Sequence, residues 1–339
     1  MNELARSALR AVAAGATLGA IALVARYAPS LSAVRARLPH APAPARDARH
    51  LPPAALALPA TLARALTLSL TRSPSPAQPP DPFATPASRA ACPADMTLVE
   101  GEFCPDLELR CLRKGTGHGC AEYARGVACH GRPDPRRYCI DRYEWPNQVG
   151  ANPLVYVDWH EAKALCAGAK KRLCRRSEWM LACEGPKRLP YPWGFVRQPS
   201  PCNVDRGAIS FDVGALIKDA TREEELARLW QADKIGTHPD CVSAYGAFDM
   251  SGNVDEWTDD QLDDPRSEHP STLNGGYWGP VRDTCRLTTT SHGPTFKFYQ
   301  VGFRCCDDPH DGVAFPPPRP WIEPERAKKK KADGEDRPG

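Results

Sequence analysis

Cysteine is the residue type whose number and spacing bear most directly on chemistry in this chain of 339 residues. All 14 cysteines lie between Cys92 and Cys306, and an even number concentrated in one segment is typical of disulfides formed in an oxidising compartment. Zinc is the alternative, but structural zinc sites present cysteine pairs only a few residues apart. No C-x-x-C pair occurs, and the tightest pair is Cys305 and Cys306. The spacing therefore favours disulfides in an exported protein.

A second group of residues has the composition of a calcium-binding loop. In the segment DMSGNVDEW, Asp249 and Glu256 flank a turn at Gly252 and Asn253. Ca²⁺ prefers several oxygen ligands, and some of these are carbonyls of a tight loop. The two carboxylates together with the carbonyls of Gly252 and Val254 can supply such a set. The alternative is a plain turn with two solvated acids.

Several other functional classes lack support in the sequence. A net charge of +3 and a pI of about 8.2 give no electrostatic case for a nucleic-acid partner. The chain contains no G-x-S-x-G motif, no P-loop and no dinucleotide-binding glycine pattern. A Cys/His nucleophile made of Cys285 and His292 is conceivable, but such pairs are common by chance.

The elements that must position these residues are short. MTLVEG and YCIDRYEW have the composition of strands, and DWHEAKALCAGA (158–169) predicts an amphipathic helix capped by Asp158. RSEWMLAC (176–183), with Ser177 as its cap, predicts a second helix, and REEELARLW (222–230) is composed of helix-forming residues. Dense turn signals separate these segments. Four tryptophans are predicted to lie in the core: Trp159, Trp179, Trp193 and Trp257.

The composition changes along the chain and divides it into four parts. Residues 1–26 contain an uncharged stretch bounded by arginines, which is typical of a signal peptide or a signal anchor, so an N-terminal membrane anchor is an alternative to cleavage. Residues 27–91 are rich in alanine and proline and predict a disordered spacer. Residues 92–309 contain the folding material, and residues 310–339 predict a disordered tail.

Six landmarks in the right order give the chain a resemblance to a known family. They are the helix segment around DWHEAKALC, then KRLCRRSEW, YPWG, GAFDMSGNVDEW, NGGYWG and VGFRCC. This pattern resembles the formylglycine-generating enzyme, or sulfatase-modifying factor, family. The resemblance implies an α+β fold, the formylglycine-generating-enzyme variant of the C-type-lectin-like fold, which is poor in regular secondary structure. Members include oxidases and non-catalytic ligand-binding proteins, so the fold alone does not determine function.

The resemblance also implies calcium sites and one disulfide. Asp249, Gly252, Val254 and Glu256 match the ligands of one calcium site of the sulfatase-activating enzymes, with Asp249 in place of an asparagine. The start of a second calcium site is matched by Asn203 and Val204. A disulfide of the family corresponds to Cys183 paired with Cys305, and Cys306 is the competing partner.

The catalytic positions of the family are only half preserved. The oxidases hold Cu(I) with two cysteines, four and nine residues after the G-G pair, and counting from Gly276 gives Pro280 and Cys285. Two further positions also differ from the oxidases: a serine is Tyr277 here, and a tryptophan is Asp255. Cys285 thus remains the catalytic candidate, although half of a disulfide is the simpler interpretation. We expect calcium rather than copper.

Two functions follow from these observations. The first is an exported, calcium-stabilised protein of this fold that binds an unidentified protein or small-molecule ligand without the copper site. The alternative is a divergent formylglycine-generating oxidase acting on a cysteine of an exported sulfatase or a similar substrate. A sulfoxide synthase is not expected, because none of the nine histidines forms the H-x-x-x-H-x-E run of its iron site.

Overall fold

A computed structural model describes Phe83, residues 85–115 and residues 119–321. The helices are α1 (Pro86–Ala91), α2 (Trp159–Gly168), α3 (Arg176–Glu184), α4 (Val213–Ile217) and α5 (Asp219–Leu229). The strands are β1 (Met96–Phe103), β2 (Leu107–Glu108), β3 (Cys111–Lys114), β4 (Cys120–Tyr123), β5 (Ala128–Cys129), β6 (Asp134–Asp141), β7 (Arg172–Leu173), β8 (Asp255–Asp259), β9 (Ser271–Asn274), β10 (Thr288–Thr289), β11 (Val301–Phe303) and β12 (Cys305–Asp307).

Two four-stranded sheets organise the described residues. One has the order β1-β6-β12-β7 and is antiparallel, with β1 and β6 paired along their whole length from Met96 opposite Asp141 to Phe103 opposite Asp134. The other has the order β10-β9-β8-β11, in which β8 and β11 run parallel. Because β11 and β12 are consecutive, the segment VGFRCCD joins the two sheets. The result is the predicted α+β fold with little regular secondary structure.

The two predicted central helices are present, and one has a different cap. The Asp158 carboxylate accepts a hydrogen bond from the Glu161 amide at 2.9 Å, and the Glu161 carboxylate accepts one from the Asp158 amide at 3.0 Å, which completes a capping box for α2. In α3 the capping position is Arg175 rather than the predicted Ser177. The Ser177 hydroxyl instead donates to Asp263 at 2.6 Å, because the whole of α3 is buried and its first turn faces another loop.

Aromatic and sulfur-containing side chains form the core on both sides of β12. One cluster contains Trp179 and Tyr138, and a second contains Trp159, Trp257 and Phe303. Three of the four tryptophans predicted to be core residues are therefore buried. The fourth, Trp193, is half-buried and stacks on Tyr191 with ring centroids 5.4 Å apart.

Seven disulfides use all 14 cysteines. They join Cys92–Cys139, Cys104–Cys129, Cys111–Cys120, Cys166–Cys305, Cys174–Cys306, Cys183–Cys285 and Cys202–Cys241. The expected bond between Cys183 and Cys305 is wrong, and so is its competitor through Cys306. Successive side chains of a strand point to opposite faces, so Cys305 of β12 faces the cluster of α2, whereas Cys306 faces the cluster of α3.

The described fold extends beyond the boundaries expected at residues 92 and 309. Helix α1 falls within the predicted spacer, and the Thr85 hydroxyl caps it by accepting the Ser88 amide at 3.1 Å. At the other end Trp321, in the predicted tail, is buried against Phe103 with ring centroids 5.0 Å apart. The predicted signal or anchor segment lies outside the described residues. Within the described residues, no helix has the length and apolar character needed to cross a membrane.

Candidate functional site

The G-G pair that marks the catalytic face of the oxidases forms a tight turn at the end of β9. Gly275 and Gly276 both adopt left-handed backbone conformations, with φ of 89° and 73°. A Cβ atom on Gly276 would lie 1.9 Å from the carbonyl oxygen of Arg282, so this position requires glycine. The turn brings the following loop, residues 277–285, back against the second sheet.

The two positions that carry the copper ligands in the oxidases provide no thiolate here. Pro280 is exposed and offers no side-chain ligand. Cys285 is fully buried and bonded to Cys183, with an S–S distance of 2.04 Å. Cu(I) is bound by soft thiolate ligands, and a disulfide sulfur is not a thiolate. The residues present therefore do not fit a two-cysteine copper site, and the catalytic candidate Cys285 is half of a disulfide.

Both of the other departures at this face are held by neighbouring side chains. Tyr277 packs edge-on against Trp278, with ring centroids 5.8 Å apart. Both carboxylate oxygens of Asp255 accept hydrogen bonds from Arg282 at 3.0 Å. Burial raises the pKa of Asp255, and the guanidinium of Arg282 opposes that rise.

The histidine considered for a Cys/His pair is engaged elsewhere. His292 stacks on Phe296 with ring centroids 3.8 Å apart, and burial lowers the pKa of its imidazole. A Cys/His nucleophile is absent because Cys285 is closed in a disulfide.

The sequence DMSGNV forms the predicted turn, and its backbone is held in unusual conformations. Asp249, Gly252 and Asn253 have positive φ values of 57°, 83° and 56°. A Cβ atom on Gly252 would lie 2.3 Å from the carbonyl oxygen of Asn203 and 2.4 Å from a methyl carbon of Val204. The residues predicted for the two calcium sites are therefore brought into direct contact.

The environment of Asp249 suits a cation. Its Oδ1 atom is buried and has no hydrogen-bond partner among the described residues, and burial raises the pKa of its carboxyl to about 7. Glu256 and the fully buried Glu144 are close enough to interact electrostatically, as is Arg304. Among the described residues no group of three or more His, Cys, Asp or Glu side chains is placed to hold a metal ion. A calcium ion at Asp249 would therefore depend on backbone carbonyls, as the sequence predicts.

Glu256 has a second role that the sequence did not predict. Its two oxygens accept hydrogen bonds from Arg304 at 2.7 Å each, and one of them also accepts the indole N–H of Trp179 at 2.8 Å. The carboxylate of Glu144 accepts a hydrogen bond from the Val254 amide at 3.0 Å and so also holds the loop in place. Arg304 is visible in the G-F-R landmark, whereas no feature of the sequence marks Glu144.

The predicted site at Asn203 and Val204 is already engaged by an arginine. The side-chain oxygen of Asn203 accepts a hydrogen bond from Arg206 at 2.7 Å, and its carbonyl accepts the Asn253 amide at 2.9 Å. Arg206 also pairs with Asp233 at 2.9 Å. The guanidinium thus supplies positive charge at this oxygen, and the residues present do not fit a calcium ion there.

A groove lies between α5 and the loop of residues 145–155. It has a volume of about 790 Å³ and is lined by Trp145, Pro146, Asn152, Pro153, Leu154, Val155, Glu223, Leu226, Ala227 and Trp230. Helix α5 belongs to the stretch 205–235, which contains none of the six family landmarks. That stretch packs over Trp278, which leaves the indole 1 % exposed. No sequence pattern predicts this groove, because its two walls come from distant segments.

Comparisons with known proteins agree with these observations. The model of the sulfatase-modifying factor enzyme 1-like domain matches residues 121–309, which is more than half of the chain. The chain is 31 % identical over 172 residues to the inactive C-alpha-formylglycine-generating enzyme 2 of Bos taurus, covering 49 % of this chain and 52 % of that protein. It is 30 % identical over 176 residues to the formylglycine-generating enzyme of Thermomonospora curvata, covering 48 % of this chain and 53 % of that protein. The chain thus spans about half the length of these relatives.

Solved structures with a similar arrangement include PvdO from Pseudomonas aeruginosa, at 15 % identity and a TM-score of 0.40, with 63 % of this chain and 94 % of that chain covered. Another is CarF, at 17 % identity and a TM-score of 0.38, with 64 % of this chain and 98 % of the CarF chain covered. The assignment does not depend on these likenesses, since the family model alone covers most of the described residues. The chain belongs to the sulfatase-modifying factor enzyme 1-like family, which is the formylglycine-generating enzyme family.

Proposed function

We propose that this chain is an exported binding member of the family that lacks thiol–copper oxidase chemistry and is stabilised by calcium. One observation carries the proposal: all 14 cysteines are paired, and Cys285, the remaining family position for copper, is bonded to Cys183. The second position is Pro280. A ligand or partner would therefore be bound without formation of a Cu(I)–thiolate centre.

The known relatives support a binding role without requiring one. The family contains a protein named as inactive as well as named formylglycine-generating enzymes. A scaffold that keeps its landmark turns and loses its thiolates fits the first kind better. Seven disulfides in one domain also support residence in an oxidising compartment.

Copper binding and oxidase activity test the proposal directly. The purified protein is titrated with Cu(I) against a competing chelator and then incubated with a cysteine-containing peptide under air. We expect no stoichiometric copper and no aldehyde product. A variant carrying Cys183→Ala and Pro280→Cys supplies thiols at both family positions and serves as the comparison, after its fold has been checked by thermal melting. Tight copper binding by the unmodified protein, with aldehyde formation, would instead establish the divergent oxidase.

Calcium is the cation that we propose for the loop at Asp249. The supporting observation is the buried Oδ1 atom of Asp249, which finds no hydrogen-bond partner in the part of the chain that the structure describes and which interacts electrostatically with Glu144 and Glu256. Asp249 and the carbonyls of Gly252 and Val254 would hold the ion, which would supply charge compensation and fix the turn. Both oxygens of Glu256 are engaged by Arg304, so this carboxylate would act on the ion through its nearby charge rather than as a ligand. Calcium bound only by the folded state at about a hundredfold excess over Kd stabilises that state by about 2.7 kcal/mol.

Thermal melting in chelator and in millimolar calcium tests this assignment. We expect a higher melting temperature in calcium and a smaller increase in Asp249→Gly, which tolerates the left-handed backbone at this position but removes the side-chain oxygens. Glu256→Ala is unsuitable, because it leaves the buried Arg304 without its partner. Val313→Ala, at a position 58 % exposed, is the control and should keep the full response. Identical melting temperatures of the unmodified protein in both buffers would remove calcium from the account.

A further inference from the structure

The groove beside α5 has the construction of a ligand site. Its volume of about 790 Å³ falls within the range usual for small-molecule sites. Most of its lining is apolar, and two of the lining side chains, Trp145 and Trp230, are half-buried indoles. Leu154 remains 38 % exposed in the same groove. Apolar surface that is concave and partly exposed to solvent is characteristic of recognition sites.

The two indoles are held in place by their neighbours. Trp145 stacks on Phe303 with ring centroids 5.4 Å apart and an interplanar angle of 18°. Its amide donates to the Phe303 carbonyl at 2.8 Å, so the residue is tied to β11. On the opposite wall Trp230 ends α5 and packs on the buried Trp278 with ring centroids 6.2 Å apart. The aromatic surfaces are thus fixed before any ligand arrives, which lowers the entropic cost of binding.

The charge of the groove is negative. Glu223 is the one ionisable side chain among the lining residues, and it is exposed on α5. The neighbouring Arg222 is directed elsewhere: its guanidinium lies over the ring of Tyr156 at 5.1 Å, and its Nε donates to the Leu216 carbonyl at 2.9 Å. A carboxylate beside two indole rings attracts cations, because the face of an aromatic ring carries negative charge density.

We propose that this groove binds a small organic cation, an alkylammonium group carried on an aliphatic body. The aliphatic part would pack against Leu154, Leu226 and the indoles, and the ammonium group would lie between an indole face and the carboxylate of Glu223. This assignment rests on the proposed binding function and names its ligand class.

A series of ligands that differ only in charge tests the assignment. Hexylammonium, hexanol and hexanoate have the same aliphatic body, and ligand-observed NMR with the full chain measures their affinities. We expect hexylammonium to bind about fivefold more tightly than hexanol, a preference typical of an exposed cation–π contact, and hexanoate to bind least. Equal affinity for the cation and the alcohol, or no saturable binding of the cation, would overturn the proposal.

Variants on the surface of α5 separate the contributions. Glu223→Gln should reduce the preference for hexylammonium about two- to threefold and leave hexanol unchanged, because an exposed ion pair contributes modestly. Glu224→Gln changes the adjacent exposed residue, which does not line the groove, and should have no effect. An equal effect of both variants would show that only the net charge of the helix matters, which would refute the site. If hexylammonium does not bind although all cysteines are in disulfides, this inference alone is wrong. A reactive thiol at Cys285 would instead contradict the proposed function.

Discussion

Removal of the Cys183–Cys285 bond is the perturbation that most clearly separates this protein from an oxidase of its family. We consider the double variant Cys183→Ala with Cys285→Ala, which leaves no new thiol to react. Both sulfur atoms lie in the buried cluster that also contains Trp179, Met180 and Met250. The bond should therefore contribute to stability both by its cross-link and by its packing.

The size of the effect follows from the loop that the bond closes. The separation of the two cysteines is 102 residues, but the neighbouring bond Cys174–Cys306 already holds the same segments together. The path from Cys183 to Cys285 through that neighbouring bond is only about 30 residues long, because Cys174 is close in sequence to Cys183 and Cys306 is close to Cys285. In the chain-entropy model a loop of about 30 residues contributes about 3.6 kcal/mol. We expect the melting temperature to fall by about 7–14 °C.

Urea unfolding and thermal melting of the oxidised proteins measure this loss. The control is Cys111→Ala with Cys120→Ala, which opens a bond of sequence separation 9 between β3 and β4. The same model assigns that bond about 2.6 kcal/mol, and Cys111 is exposed while Cys120 is buried, so less packing is lost than in the core pair, where both cysteines are buried. The core pair should therefore be the more destabilising of the two. A core variant that lost less than about 1 kcal/mol, or less than the control, would refute the reasoning.

Three further predictions concern the scaffold. Gly276→Ala should destabilise the protein by about 3 kcal/mol in urea unfolding, because its Cβ would lie 1.9 Å from the Arg282 carbonyl oxygen. The control Gly293→Ala adds a Cβ with no described atom within 4 Å and should change stability by less than about 0.5 kcal/mol; equal effects would contradict the turn geometry. Trp321→Ala should lower the free energy of unfolding by about 3–5 kcal/mol in the same assay, because the indole packs on Phe103 and donates a hydrogen bond to the Pro105 carbonyl at 2.8 Å. A loss no larger than that of the exposed control Val313→Ala would show that this contact does not form. The hydrogen bond from Arg228, followed by that from the Asp212 amide, lowers the pKa of Glu225 to about 2, so the contribution of this carboxylate to folding stability is complete above the ordinary carboxyl pKa and is lost as the pH falls towards 2. The stability of Glu225→Gln, measured by urea unfolding, should therefore depend less steeply on pH between about 5 and 2 than that of the unmodified protein. An unchanged slope would argue against the pairing.

The sequence predicted the features whose signals are local. The helix at residues 158–169 was recognisable from Asp158 and the spacing of apolar residues, and the turn at Gly252 from its glycine and its flanking acids. The α+β fold followed from six landmarks in order, which the family match confirms. The apolar spacing overstates the buried face of α2: Leu165 is 37 % exposed, because only the narrow face with Trp159, Ala162 and Cys166 is covered.

Features that depend on long-range placement were not predictable from the sequence. The face of β12 that each cysteine occupies decides that Cys305 pairs with Cys166 and Cys306 with Cys174, and a shift of one residue in a strand reverses that face. Glu144 acquires its role only because the fold places it beneath the loop of Asn253 and Val254. The groove brings together Trp145 and Trp230, which are distant in sequence and carry no common motif.

The central claim is that Cys285 is not available as a thiolate, and a count of free thiols tests it most directly. The native protein is denatured without reductant in the presence of an alkylating reagent, and its intact mass and cysteine peptides are measured. The account predicts no alkylated cysteine and a Cys183–Cys285 peptide pair. Alkylation of Cys285 in the protein as purified would contradict the account and restore this residue as the catalytic candidate.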